Sequence, residues 1–313
     1  SGSAPAPRGP SSSALRKQLD AATAVKAASF PAAGGRTLRQ VADAIDGTGP
    51  QISFATQTLV PGRSQRLAFG VVDDKTGFVY APTALYLAPS ERAKAQGPYP
   101  APADLLLTDA PFRSQNAATE SDPFAAIYET RVPLTRPGRY AVLAVSRIAG
   151  KTIGAAGVIT VQSKASDDIP DVGQLAPRVA TDTLASAGGD VSKIDTRVPP
   201  SDMHAVSLKD ELGKKPIALL FATPQLCQSR VCGPVVDIAA QLEKTYGGRM
   251  TFIHQEVYVD NQIARGLRPP LQAFKLKTEP WLFVMDKTGR ITARLEGSFG
   301  FRAFEQAIRT GLS

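Results

Sequence analysis

The sequence is poor in the residues that carry most enzyme chemistry. Its 313 residues include two cysteines, two histidines and one tryptophan. Two scattered histidines, His204 and His254, do not furnish a Ser-His-Asp triad. No phosphate-cradling glycine loop follows a strand pattern, which removes the nucleotide-binding readings. No apolar run approaches the roughly 18 uninterrupted residues of a membrane span. The opening SGSAPAPRGPSSS carries no signal peptide; it reads as an expression scar plus a flexible leader, compatible with a targeting segment removed upstream.

Charge is biased without being concentrated. Lys and Arg outnumber Asp and Glu by 36 to 28, a net +8. The excess is spread along the chain, and no basic run with interleaved aromatics occurs, which argues against nucleic acid as a partner. The bias reads as a solvated basic surface that is compatible with association at an anionic membrane surface. Two cysteines close together in so long a chain fit an oxidising compartment, where stray thiols are a hazard. The expectation is an extracytoplasmic protein, secreted or associated with a cell envelope.

What is present divides the chain into segments. Residues 1–12 are rich in Ser, Pro, Gly and Ala and are expected to be disordered. Residues 13–50 read as a helical preface. Leu15, Leu19, Ala22 and Val25 recur at helical spacing, and a second short helix starts at a capping Thr37. From 51 to 163 six or seven short apolar runs alternate with Pro and Gly turns such as VPGR, DDKTG and TRPGRY. That pattern predicts an antiparallel β-sandwich. Within it, 89–123 is a long Pro- and Ala-rich insertion, read as a surface excursion. Residues 164–200 have the composition of a linker or an extended wrap. From 201 to 313 the order of patterns is β-α-β-α-β-β-α, an α/β module with a mixed sheet. The strands are KPIALLFA, MTFIHQEVY, PWLFVMD and RITARLEG, the last two forming a hairpin across DKTGR.

Both cysteines, Cys227 and Cys232, fall in FATPQLCQSRVCGPVV, just beyond the first buried strand. On a regular helix, residues five apart are separated by about 7.5 Å along the axis. A disulfide needs Cα atoms within roughly 4.4–6.8 Å. If the pair bonds, the stretch between them is therefore not regular helix. Gly233 and Pro234 point to a helix starting near Cys232, with Pro in its first turn. PQLCQSR then forms a loop over that helix N-terminus, where a thiolate is stabilised and where Arg230 could add to the effect.

Several positions carry a resemblance. HAVSLKDELGKKPIALLFATP, the cysteines after it, and TEPWLFVMDKTGRI resemble the thioredoxin fold of bacterial envelope proteins, over about residues 204–313. The resemblance implies that Pro280 is a cis-proline facing the redox cysteines. The departure is that VCGPV keeps Cys-Gly-Pro but has Val235 in place of a second cysteine. The partner thiol lies upstream, with four residues between Cys227 and Cys232. TPQLC also resembles the context of the reactive cysteine in peroxiredoxins, which suggests a weaker, peroxide-reducing reading. Either cysteine can be the nucleophile on these grounds; the reading favours Cys227 as the more accessible. TRPGRYAVLAV, with Tyr140 opening a strand after a Pro-Gly turn, resembles immunoglobulin-like bacterial modules.

The resulting expectation is a multidomain chain: a mostly-β, immunoglobulin-like sandwich with short helices, then an α/β thioredoxin-like domain. Its candidate site is Cys227, Cys232 and Pro280, its partners are protein thiols or disulfides, and nothing calls for a cofactor or a resident metal. Two functions stay open: thiol–disulfide exchange, and a binding or scaffold protein in which the disulfide is only a clip. His254, in a buried strand, reads as a satisfied core imidazole. Copper-delivering proteins of this fold use a later histidine, and none follows His254. Trp281 reads either as groove lining or as core, Arg268 as part of a rigid turn into a helix, and Asp237 as a solvated helix residue.

Overall fold

The computed structural model describes residues 12–120 and 124–313. The expected disorder of the leader falls largely outside them. The chain forms two units. The first contains the residues up to Leu105 together with Thr119–Asp167; the second contains Leu106–Ala118 together with Asp168–Ser313. Among the described residues no helix is long and apolar enough to cross a membrane.

The first unit begins with α1 (Ser12–Thr23) and α2 (Leu38–Asp43). Thr37 caps α2 in a reciprocal arrangement with Gln40, so two otherwise unpaired N–H groups are satisfied. Strands β1 (Gly47–Thr48), β2 (Gln51–Phe54), β3 (Gly62–Asp73), β4 (Gly77–Phe78), β5 (Thr83–Ala88), β6 (Gln96–Pro100) and β7 (Ala103–Leu105) follow. After the excursion come β8 (Ala126–Leu134), β9 (Gly138–Ile148) and β10 (Lys151–Val161). They make two sheets, ordered β1-β10-β9-β5-β6 and β2-β3-β8-β7, with β4 pairing β3. All pairings are antiparallel except β1 with β10. Phe30, Leu38 and Val41 close one core against Tyr86, Leu143 and Val145.

The second unit is built on one four-stranded sheet. Its elements are α3 (Leu208–Glu211), β11 (Ile217–Phe221), α4 (Cys232–Tyr246), β12 (Thr251–Gln255), α5 (Pro269–Ala273), β13 (Trp281–Met285), β14 (Ile291–Glu296) and α6 (Phe301–Leu312). The strand order is β12-β11-β13-β14. β11 runs parallel to β12 and antiparallel to β13, which in turn pairs antiparallel with β14. Every residue of β11 and β13 is buried, as expected of central strands covered on both faces. Phe221, Phe274 and Phe283 pack edge-on or tilted, with centroids 4.8–6.1 Å apart. Each such side chain contributes roughly 1.5–3 kcal/mol on burial. α6 lies so close to the sheet that a Cβ on Gly311 would come within 2.7 Å of Val284 Cγ1.

One segment differs from its sequence reading, and for another the structure takes one of the two forms left open. The excursion expected on the surface contains β6 and β7, and its Leu106–Ala118 portion packs on α4. Ser114 donates from N and Oγ to Asp237 Oδ2, both at 3.0 Å, and Asp109 N donates to Gln241 Oε1 at 2.9 Å. The stretch from Asp168 to 200 takes the form of a wrap. Gly173 and Ala176 donate to Ile291 and Gly289, and Ile291 donates back to Gln174, covering the outer edge of β14.

Asp237, read from sequence as solvated, is 1% exposed. It receives Arg197 Nε at 2.9 Å, while the same guanidinium donates to the carbonyls of Pro199 and Phe112. Burial pushes the Asp237 carboxyl pKa up even against the pull of these donors. The pair is therefore closer to a geometric lock than to a net source of stability. Asp237→Ala is expected to destabilise the protein by about 3–5 kcal/mol, because it leaves a buried guanidinium uncompensated. Asp237→Ala combined with Arg197→Met should cost clearly less; urea unfolding of both variants checks this.

Candidate functional site

The loop between β11 and α4 brings the cysteines together without a regular helix between them. Thr223 O accepts from Leu226 N and Cys227 N, closing one turn, and Arg230 N donates to Cys227 O. Arg230 sits in the left-handed region at φ 61°, where the chain reverses before α4 starts at Cys232. The sequence expectation of a loop lying over a helix N-terminus is met in this detail. Arg230 itself is exposed, and it is not among the leading influences on Cys227.

A helix leaves its first N–H groups unpaired. No side chain caps α4 through a conventional hydrogen bond. The Cys227 sulfur lies at that helix end, close enough to Cys232 for its thiol and backbone N–H to lower the Cys227 pKa. Ser229 Oγ lies 3.2 Å from the same sulfur. The Cys232 side-chain hydrogen bond is the largest influence; with Ser229 and the Cys232 N–H it outweighs burial and holds the Cys227 pKa down at about 7. Cys232 is buried, and burial together with its role as donor to Cys227 pushes its thiol well above the ordinary range, against a backbone hydrogen bond from Thr223. The two thiols are thus unlike: one is reachable and readily ionised, the other buried and holding its proton.

The floor of the site follows from strand register. Phe221 pairs with Trp281, so Pro280 lies across from Ala222, beside the start of the cysteine loop. The Glu279–Pro280 bond is cis. Sequence reasoning missed two neighbours. Glu279 is half-buried, its carboxyl pushed up by burial, and its charge raises the pKa of both sulfurs. Tyr258 lies near that carboxyl, its own pKa raised by burial and then by the Glu279 charge. The position of Glu279 immediately before Pro280 was the available signal; Tyr258 had none. Arg268 holds the Tyr258 carbonyl at 2.8 Å and Asp182 at 2.7 Å, so it positions this neighbour rather than facing the sulfurs. Trp281 is core, stacked on Phe283 at 5.9 Å, with its N–H on Thr278.

The 106–118 segment sets the back of the site. Asn116 Nδ2 donates to Pro224 O at 2.8 Å. A Cβ on Gly233 would lie 2.5 Å from Asn116 O, so the residue after Cys232 must be glycine for this approach. His254 is fully buried, as expected of a core imidazole. His204, in contrast, joins it in a cluster with Asp195.

No family model matches the sequence, and the comparison with curated proteins returns no match. Among solved structures, a protein described as a thiol:disulfide interchange protein DsbE from Chlorobium tepidum aligns at 17% identity and TM-score 0.34, covering 46% of this chain and 99% of its own. A thioredoxin-family thiol:disulfide interchange protein from Chlorobium tepidum TLS aligns at 16% identity and TM-score 0.32, covering 47% of this chain and 100% of its own. The PKD domain of human receptor SorCS2 aligns at 15% identity and TM-score 0.19, covering 38% of this chain and 76% of its own. Similarity this slight carries no argument about chemistry, which rests on the geometry above.

Two outcomes follow from that geometry. The alkylation rate of Cys227 should rise about tenfold per pH unit up to about pH 7 and level off above it. Cys232→Ala removes the main stabilising donor, so the break should move up toward the ordinary thiol value of about 8.5. Gly233→Ala forces a methyl group into the Asn116 backbone and should cost roughly 1–3 kcal/mol in denaturant unfolding.

Proposed function

We propose that the chain is an extracytoplasmic thiol–disulfide exchange protein of thioredoxin-like fold, in which Cys227 attacks and Cys232 resolves. The observation that carries this reading is the asymmetry of the pair: an accessible sulfur with its pKa near 7, hydrogen-bonded by a buried partner thiol. A structural clip has no need of that asymmetry. The strand-helix-strand order ending in an antiparallel hairpin supports the same fold assignment. The sparse, paired cysteines support an oxidising compartment.

In the oxidising direction for this chain, the Cys227 thiolate attacks one sulfur of a partner disulfide. A Cys227–partner mixed disulfide forms, and the other partner sulfur leaves as thiolate and takes a proton. Cys232 then gives up its proton and attacks the Cys227 sulfur. The Cys227–Cys232 disulfide forms, and the second partner sulfur leaves. Two electrons and two protons pass to the partner, and the reverse sequence uses the same atoms. Glu279, half-buried within electrostatic reach of both sulfurs, is the group suited to exchange the Cys232 proton.

The first unit is read as an immunoglobulin-like module that docks partners or orients the redox unit. Tyr140 supports this: its hydroxyl donates to Arg136 O at 3.1 Å and accepts from Arg136 N at 3.3 Å, a corner found in such sandwiches.

Reduction of a small disulfide substrate separates exchange from a clip. Cys227→Ser should abolish turnover, while Cys232→Ser should retain attack and accumulate a mixed disulfide visible by mass. A reduction potential above about −300 mV is expected for an exchanging pair. A lower potential together with an unreactive Cys227 would leave only the clip.

A further inference from the structure

A second cluster of polar side chains lies in the redox unit, and the sulfur chemistry does not use it. Asp195 belongs to the wrap, Ser201 and His204 follow shortly after, and His254 lies in β12. Asp195, His204 and His254 are 3%, 3% and 0% exposed. Their donor atoms all lie within 4.8 Å of one another, and the imidazole rings are 5.3 Å apart.

The hydrogen bonds define what each atom can do. His254 Nε2 donates to Ala222 O at 2.9 Å, which fixes the proton on that nitrogen. Its other nitrogen, Nδ1, then presents a lone pair, 3.5 Å from Asp195 Oδ2. A lone pair facing a carboxylate in a buried site is repulsive unless a positive centre stands between them. Nδ1 makes no hydrogen bond of good geometry. Without an ion the Asp195 carboxylate raises the His254 pKa to about 9 against the opposing effect of burial, so a proton serves there, and a metal would bind by displacing it. The same Asp195 oxygen lies 2.9 Å from His204 Nε2 and 2.9 Å from Ser201 Oγ, and Ser201 Oγ is 3.3 Å from His204 Nε2. Ligands 2.0–2.1 Å from a first-row divalent ion lie about 3.0–3.4 Å apart. The separations that involve Asp195 or Ser201 run from 2.9 to 3.5 Å, around that range, and the two imidazole donors lie within 4.8 Å of each other.

We propose that Asp195, His204 and His254 bind one divalent transition-metal ion of the zinc class, with Ser201 Oγ at the fourth position. Two imidazoles and one carboxylate suit zinc or its neighbours rather than calcium or magnesium. Asp195, His204 and His254 are buried while Ser201 is half-buried, so three ligands are withdrawn from solvent and the ion would enter past Ser201; the role proposed is structural. The ion pins the wrap, through Asp195 and His204, to β12, through His254. The His254–Ala222 hydrogen bond then ties the ion to the strand end from which the cysteine loop departs. Sequence reading expected no metal, because 195, 204 and 254 match no ligand-spacing motif. The inference is independent of the exchange reading, since it uses neither sulfur.

The test is metal binding by the full chain carrying Cys227→Ser and Cys232→Ser, which removes the competing cysteine ligands. After treatment with chelator and dialysis, titration with Co2+ should give one equivalent bound, with visible ligand-field bands and no thiolate charge-transfer band. Zn2+ should displace it and raise the thermal unfolding temperature. Asp195→Asn and His204→Gln should each weaken binding by more than the about 10–100-fold typical of outer-shell changes. Both should also abolish the zinc-dependent thermal shift, with folding checked by circular dichroism. If either variant fails to fold, the stoichiometry and spectrum of the chain with only the two cysteine substitutions decide alone. No ligand-field bands and no stoichiometric zinc in that chain would overturn the proposal and leave a buried imidazolium–carboxylate pair. Bands that persist undiminished in folded His204→Gln would overturn it equally.

Discussion

The interaction of the Cys227 and Cys232 sulfurs at the start of α4, which lowers the pKa of one thiol and raises that of the other, is the constraint around which the candidate site is organised. It requires two sulfurs five residues apart to meet at one helix end, which a continuous helix would forbid. The Thr223 turn and the left-handed Arg230 provide the reversal, and Gly233 admits the backbone that holds it. Cys227 then sits beside the first turn of α4, where Cys232 lowers its pKa to about 7.

Holding a reactive loop in one geometry requires fixed surroundings, and this unit fixes them largely with polar contacts. The wrap and the 106–118 segment bring few large apolar side chains of their own. Their anchors are Arg197 on Asp237, Thr196 on Glu256, Asp182 on Arg268 and Gln255, and Asp195 among the histidines. Buried ion pairs of this kind add little net stability, because desolvation offsets attraction. What they add is specificity: each donor has one acceptor at one distance, and a slipped wrap would leave several buried charges unpaired.

That economy explains which parts of the structure could be read in the sequence. β11, β13 and the pattern from Cys232 onward were legible because continuous apolar runs and an amphipathic helix have periodicities of their own. Thr37 was legible as a cap because capping chemistry is local. Helix rise made legible only that, if Cys227 and Cys232 bond, no regular helix joins them. The wrap stayed one of two readings, because Asp, Ser, Gly and Pro look the same in a solvated linker and in a segment pinned by its polar groups. Asp237 was misread for the same reason: a charged residue on a helix reads as exposed unless its partner is known, and Arg197 is 40 residues away. Glu279 and Tyr258 meet through tertiary structure alone.

The opposed shifts of the two thiols also bear on redox poise. Hydrogen bonds to the Cys227 sulfur stabilise the reduced state and make the pair more oxidising, since they are worth most to a thiolate. Burial of Cys232 and the charge of Glu279 act the other way, by making a second thiolate costly. The depression of Cys227 comes chiefly from a proton held on Cys232, so it is a property of the dithiol and disappears once the pair is oxidised. The fold therefore stabilises one negative charge shared between two sulfurs and opposes two. In the exchange proposed above, a pair built in this way would transfer its first sulfur easily and commit the second only when Cys232 releases its proton. In that proposal the carboxyl before Pro280 stands at the step that separates attack from resolution.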